Sequence, residues 1–154
     1  MKKIMTIVLF LGIFITSSVT QAKESNFFSS DWWESATPEQ VESAISKGAD
    51  VKDRNEYAGT PLMFAAAFNQ NPEVIETLIK YGAGVNDRSK YDMTTLMCAA
   101  GFNRNPRVID TLIKHGADVK IKDDKGKTAL DYAKKNPKIY RTKAYQLLSQ
   151  KMYE

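Results

Sequence analysis

One cysteine and one histidine in 154 residues remove several kinds of chemistry at the outset. Cys98 alone cannot form an internal disulfide, so a fold that must persist in an oxidising compartment has to be held by packing. With His115 the only histidine, no paired-histidine metal helix can be written, and no cysteine pair offers a thiolate site. A nucleophile elbow and a phosphate-binding glycine loop are missing as well. We therefore expect no enzyme, no catalytic residue, no cofactor and no metal. Strong charge of one sign is also lacking. The formal net charge is +4, and +2 without Lys2 and Lys3, which gives no general case for nucleic acid.

A long apolar run occurs in one place. Met1-Lys2-Lys3 precedes an almost wholly apolar stretch over residues 4–16, then small and polar residues ending in Thr20-Gln21-Ala22. That is the layout of a secretory signal peptide over residues 1–22, with Lys23 as the mature start. The run is shorter than the roughly 20 residues of a spanning helix, which ranks a retained anchor below a cleaved signal. No cysteine follows the cleavage site, which disfavours a lipoprotein. The expectation is a periplasmic or secreted protein, off the membrane once the signal is removed.

The remainder is organised by repetition. Thr60-Pro61-Leu62-Met63 returns as Thr94-Thr95-Leu96-Met97, Asn71-Pro72 as Asn105-Pro106, and Leu78-Ile79-Lys80-Tyr81-Gly82-Ala83 as Leu112-Ile113-Lys114-His115-Gly116-Ala117. Each pair is 34 residues apart, and a fixed period of that length means stacked units of one supersecondary motif. Within a unit, Thr60 caps a helix that starts at Pro61 and carries Leu62, Ala65 and Ala66 on one face. Asn71-Pro72 opens a second helix with Val74, Ile75, Leu78 and Ile79 at helical spacing, and Gly82 stops it. Ahead of the repeats, Ser29 to Asp31 supply cap residues for a short helix through Trp32 and Trp33, and Thr37-Pro38-Glu39-Gln40 opens another. The units fall at 27–59 (degenerate), 60–93, 94–127 and 128–154, the last serving as a polar cap.

These motifs resemble the ankyrin repeat family, and the chain is similar to its exported bacterial members. The match is carried by Thr60-Pro61-Leu62 with Ala65-Ala66, by Val74-Ile75 with Leu78-Ile79, and by Gly48-Ala49-Asp50-Val51 and Gly116-Ala117-Asp118-Val119. The resemblance implies an all-α ankyrin repeat solenoid over residues 23–154: two antiparallel helices per unit, joined to the next by a β-turn finger. Three departures stand out. The period exceeds the usual 33 by one, in the Asn69-Gln70-Asn71-Pro72 turn. Met63 and Met97 replace the family's histidine, as Asp131 does in the last unit. Ala58 stands where a positive φ is needed and tolerates it poorly, so the first finger is expected to turn differently.

For function, the resemblance implies a non-enzymatic binding module holding a partner protein against its fingers and first helices; an immunity or inhibitor protein neutralising a toxin or enzyme is the alternative. Cys98 reads as a small core residue and His115 as a surface residue at a helix end. Tyr57 and Tyr91 lie in polar loops with no apolar stripe to join, next to the basic column Arg54, Arg88 and Lys122, which favours an acidic partner. With Met93 these define the expected footprint, extended by Phe68 and Phe102 if those rings face outward and not over the helix pair. The carboxylates look scattered and solvated, and the protein is expected to be a monomer.

Overall fold

The computed structural model describes residues 26–154, so the signal segment expected at residues 1–22 lies outside the described residues. A 3₁₀ turn at Asn26–Phe28 leads into eight α-helices: α1 (Ser30–Ser35), α2 (Pro38–Ser46), α3 (Pro61–Phe68), α4 (Pro72–Lys80), α5 (Thr95–Phe102), α6 (Pro106–Lys114), α7 (Ala129–Ala133) and α8 (Lys143–Tyr153). They form two layers. The inner layer packs α1 on α3, α3 on α5 and α5 on α7; the outer packs α2 on α4, α4 on α6 and α6 on α8. This is the stacked solenoid of helix pairs that the 34-residue period requires.

Local chemistry sets the helix limits. Thr60 and Thr94 accept the amides of Met63 and Met97, and Asn71 and Asn105 those of Glu73 and Arg107. Thr37 and Gln40 close a reciprocal capping box. The outer helices end on Gly48, Gly82 and Gly116, all at φ between 86° and 95°, and the amide of the following alanine returns to the preceding turn. Ala65, Ala66, Ala99 and Ala100 are fully buried between inner helices, where small side chains let backbones approach. Leu62, Leu78, Leu96 and Leu112 fill the space between layers at 0% exposure. Met63 and Met97 are buried too, so in these units the position is filled by apolar packing. In the last unit it is filled by a polar contact, because the Thr128 hydroxyl and amide both donate to Asp131 Oδ2. At the other end, Trp33 is fully buried and its indole N–H donates to the Phe27 carbonyl at 3.0 Å.

The turn between the two helices of a unit carries contacts that the sequence did not disclose. Asn69, Asn103 and Asn136 are buried, and each donates both amide hydrogens backwards into the preceding unit. Asn69 Nδ2 reaches the carbonyls of Trp33 and Ala36 at 2.6 and 2.8 Å. Asn103 Nδ2 reaches those of Ala66 and Asn69, both at 2.8 Å. Asn136 Nδ2 reaches those of Ala100 and Asn103 at 3.1 and 2.7 Å. Each side-chain oxygen accepts an amide two residues on, from Asn71, Asn105 and Lys138. These asparagines form a ladder that runs through all four units and satisfies the polar groups of the buried turns, and Asn136, 33 residues after Asn103, makes the same bonds without the extra residue.

Candidate functional site

Three fingers stand between the helix pairs, at residues 52–59, 86–93 and 120–127. One side chain in each closes the loop: Asn55, Ser89 and Asp123, spaced by 34. Asn55 Oδ1 accepts the amides of Tyr57 and Gly59, Ser89 Oγ those of Tyr91 and Met93, and Asp123 Oδ1 those of Lys125 and Lys127. The expectation that the first finger turns differently is corrected. Ala58 takes φ 56°, beside 57° at Asp92 and 72° at Gly126, because the side-chain staple at Asn55 holds the same turn despite the alanine.

Asp123 also departs from the expectation of solvated carboxylates. It is buried, and its second oxygen accepts the Tyr132 hydroxyl. Burial works against its charge, but the Tyr132 hydroxyl and the amides of Lys127 and Lys125 outweigh it and hold the carboxyl below its usual range. Burial, followed by the Asp123 bond, pushes the Tyr132 phenol up to about 12.

The basic column serves partly as bracing. Arg54 Nη1 donates to the Arg88 carbonyl at 3.0 Å, and Arg88 Nη2 donates to the Lys122 carbonyl at 3.0 Å, so each arginine ties its finger to the next. Arg54 also pairs with Asp87, and Arg88 with Asp92, both at 3.1 Å. These pairs are half in solvent and contribute at most about 1 kcal/mol each. Lys122, in the third finger, enters no ion pair among the described residues.

Tyr57 and Tyr91 stand side by side on neighbouring fingers. Their centroids are 6.3 Å apart and nearly parallel, at 27°, and the rings remain 51% and 53% exposed. Beneath them, between α3, α5 and the first two fingers, lies a concave cavity of about 310 Å³. Its walls include Tyr57, Phe64, Phe68, Met93, Cys98 and Phe102, and it is almost wholly apolar. Phe102 is 60% exposed and faces outward, whereas Phe68 is half-buried and packs against the core and Phe64, ring centroids 6.3 Å apart. Of the expected footprint, Tyr57, Phe68, Met93 and Phe102 meet in this cavity, Tyr91 stacks on its rim, and Arg54, Arg88 and Lys122 form the finger bases. Phe64 and Cys98 are among the wall residues that sequence reasoning missed; these two share one column of the repeat, which was the available signal. Burial pushes the Cys98 thiol up to about 12, which removes its nucleophilic form at neutral pH. His115, the C-cap of α6, lies 3.9 Å from Glu76 on the outer layer. Among the described residues, no group of acidic, histidine or cysteine side chains is arranged to hold a metal, and no helix is long and apolar enough to cross a membrane.

The sequence model described as ankyrin repeats (3 copies) matches residues 34–123 and 66–152. No curated protein matches the chain. Ankyrin repeats are generally protein–protein interaction modules. The 34-residue unit, the helix pairs stacked in two layers with fingers between them, and a family match over most of the chain agree, and the protein belongs to the ankyrin repeat family.

Proposed function

We propose that this protein is a non-enzymatic binding module, exported to the periplasm or outside the cell, that holds a partner protein in the concave groove between its fingers and inner helices. The observation that carries the reading is the apolar cavity itself. Tyr57, Phe68, Met93 and Phe102 give one face of a charged protein a contiguous apolar hollow, and Phe102 is left 60% exposed. Burying such rings is worth far more than leaving them in water, and aromatic residues dominate hot spots for that reason. The groove is also preorganised: finger staples, inter-finger arginines and the asparagine ladder fix the wall positions before any partner arrives. Export rests on the leader pattern of residues 1–22.

The test is affinity capture from the exported fraction, with the wild-type protein and the Tyr57→Ala, Tyr91→Ala double variant compared as baits, followed by calorimetry on the captured partner. Loss of a hot spot removes about 2 kcal/mol or more, roughly thirtyfold in affinity. A partner bound equally by both baits would move the site away from the groove. A double variant that loses both binding and thermal stability would make the tyrosines structural.

A further inference from the structure

Three columns of the concave face change chemistry in the same direction along the array. Tyr57 and Tyr91 are followed, one 34-residue step on, by Lys125. Gly59 and Met93 are followed by Lys127. Phe68 and Phe102 each stand immediately before the ladder asparagine of their unit, and the residue before Asn136 is Lys135. Tyr57, Gly59, Met93, Phe68 and Phe102 line the cavity and Tyr91 stacks on Tyr57 at its edge, and the third step of each column is lysine.

Lys125 and Lys135 are exposed and Lys127 is half-buried, and none of the three enters an ion pair among the described residues. Their acidic neighbours are largely committed. Asp123 is buried against its own finger amides and Tyr132, and Asp131 is held by Thr128 and Lys134. Asp124 remains exposed beside Lys125. Beyond it, the charged residues from 132 to 153 are Lys134, Lys135, Lys138, Arg141, Lys143 and Lys151, with no Asp or Glu among them. The backbone that presents Lys135 is fixed by the two Asn136 bonds to α5 and its turn and by the fully buried Ile139.

We propose that the groove is polarised, and that its occupant is an acidic protein segment lying in one direction. An aromatic or branched aliphatic side chain of the segment seats among Tyr57, Phe68, Met93 and Phe102, and its carboxylates lie over Lys125, Lys127 and Lys135. This rests on the concave groove being the partner site. Charge complementarity at one end of an apolar hollow favours a protein segment over a phosphate polymer. A nucleic acid strand needs cations along its whole path. Here the first two fingers are balanced, Lys52, Arg54, Arg88 and Lys90 against Asp53, Glu56, Asp87 and Asp92, and only in the third do Lys120, Lys122, Lys125 and Lys127 outnumber Asp123 and Asp124. A flat lipid surface does not enter a concavity between fingers and helices.

The experiment is panning of a random peptide display library on the protein, with Phe102→Glu as the counter-selection that separates groove binders from the rest. Enriched groove peptides are expected to carry an apolar anchor with Asp or Glu always on the same side of it. Zero-length carbodiimide coupling should link those carboxylates to Lys125, Lys127 or Lys135, read by peptide mass mapping. The Lys125→Glu, Lys127→Glu, Lys135→Glu triple variant should bind them at least about tenfold more weakly, and added salt should weaken the wild-type complex but not that of the variant. Thermal melts check folding, and the Lys→Gln triple variant replaces the charge reversal if that one melts early. Groove peptides without acidic bias, or bound equally by the triple variant, overturn the polarity and leave the groove standing. A library yielding no peptide sensitive to Phe102→Glu overturns the groove and the polarity together. A labelled single-stranded oligonucleotide bound in the groove more tightly than any peptide assigns the lysines to phosphate and overturns the proposal.

Discussion

Replacing Asn103 by alanine tests the asparagine ladder at its centre. The side chain is 1% exposed, donates to Ala66 and Asn69 carbonyls at 2.8 Å each, and accepts the Asn105 amide at 2.7 Å. Alanine removes three bonds, each worth about 0.5–1.5 kcal/mol net, and strands their partners in a turn closed to water. Partial relaxation recovers some of this, which leaves an expected loss of about 3–4 kcal/mol out of a typical ~5–15. With a urea slope of about 2 kcal/mol/M, the middle of the usual range, the midpoint should fall by about 1.5–2 M. Because Asn103 bridges the second and third units, the loss falls on an interface of a nearly one-dimensional array, and the transition should broaden or split. Asn103→Asp should be no better at neutral pH, since a carboxylate would face two carbonyl oxygens. The control is Asn105→Ala, two residues away and half-buried, which loses the Arg107 cap and one exposed bond to the Gln70 carbonyl, about 1 kcal/mol. Circular dichroism in urea reads all three variants. Equal midpoints for Asn103→Ala and Asn105→Ala would refute the reasoning, because the ladder would then be no more than a set of turn bonds.

Leu112→Ala empties a fully buried position between layers and should cost about 2–5 kcal/mol, while Lys122→Ala on the exposed finger should barely shift the urea midpoint. Thr95→Pro should stabilise by about 1–2 kcal/mol in thermal melts: the Thr95 hydroxyl is buried without a hydrogen-bond partner, Thr94 is already extended, and Pro61 occupies the same first-turn position one unit earlier. Asp123 has a lowered folded-state pKa, so its contribution is present above the unfolded value near 4 and is lost as pH falls through the lower folded value. Asp123→Asn, which retains the amide-accepting oxygen that Asn55 uses in the first finger, should flatten the acid limb of the stability–pH curve below about pH 4; an unchanged limb would assign it to other groups.

The sequence by itself determined the helix pairs, their caps and their period. Thr60, Pro61, Asn71, Pro72 and Gly82 act on amides and carbonyls within a few residues, so their meaning is readable without a fold. The two leucine columns were readable for the same reason, because helical spacing alone decides which face is apolar. What passes between units was decided by the tertiary structure. Asn69 and Asn103 look like ordinary turn residues in the sequence, but stacking brings carbonyls from 33 to 37 residues away to their amides. Arg54 and Arg88 read as free cations until the next finger places a carbonyl 3.0 Å from each. The rise and rotation per unit also decide that Tyr57 meets Tyr91, and that Phe102 stays in solvent while Leu112 does not. A groove wall is a relation between neighbouring units, and one 34-residue repeat cannot encode it until a second is stacked beside it.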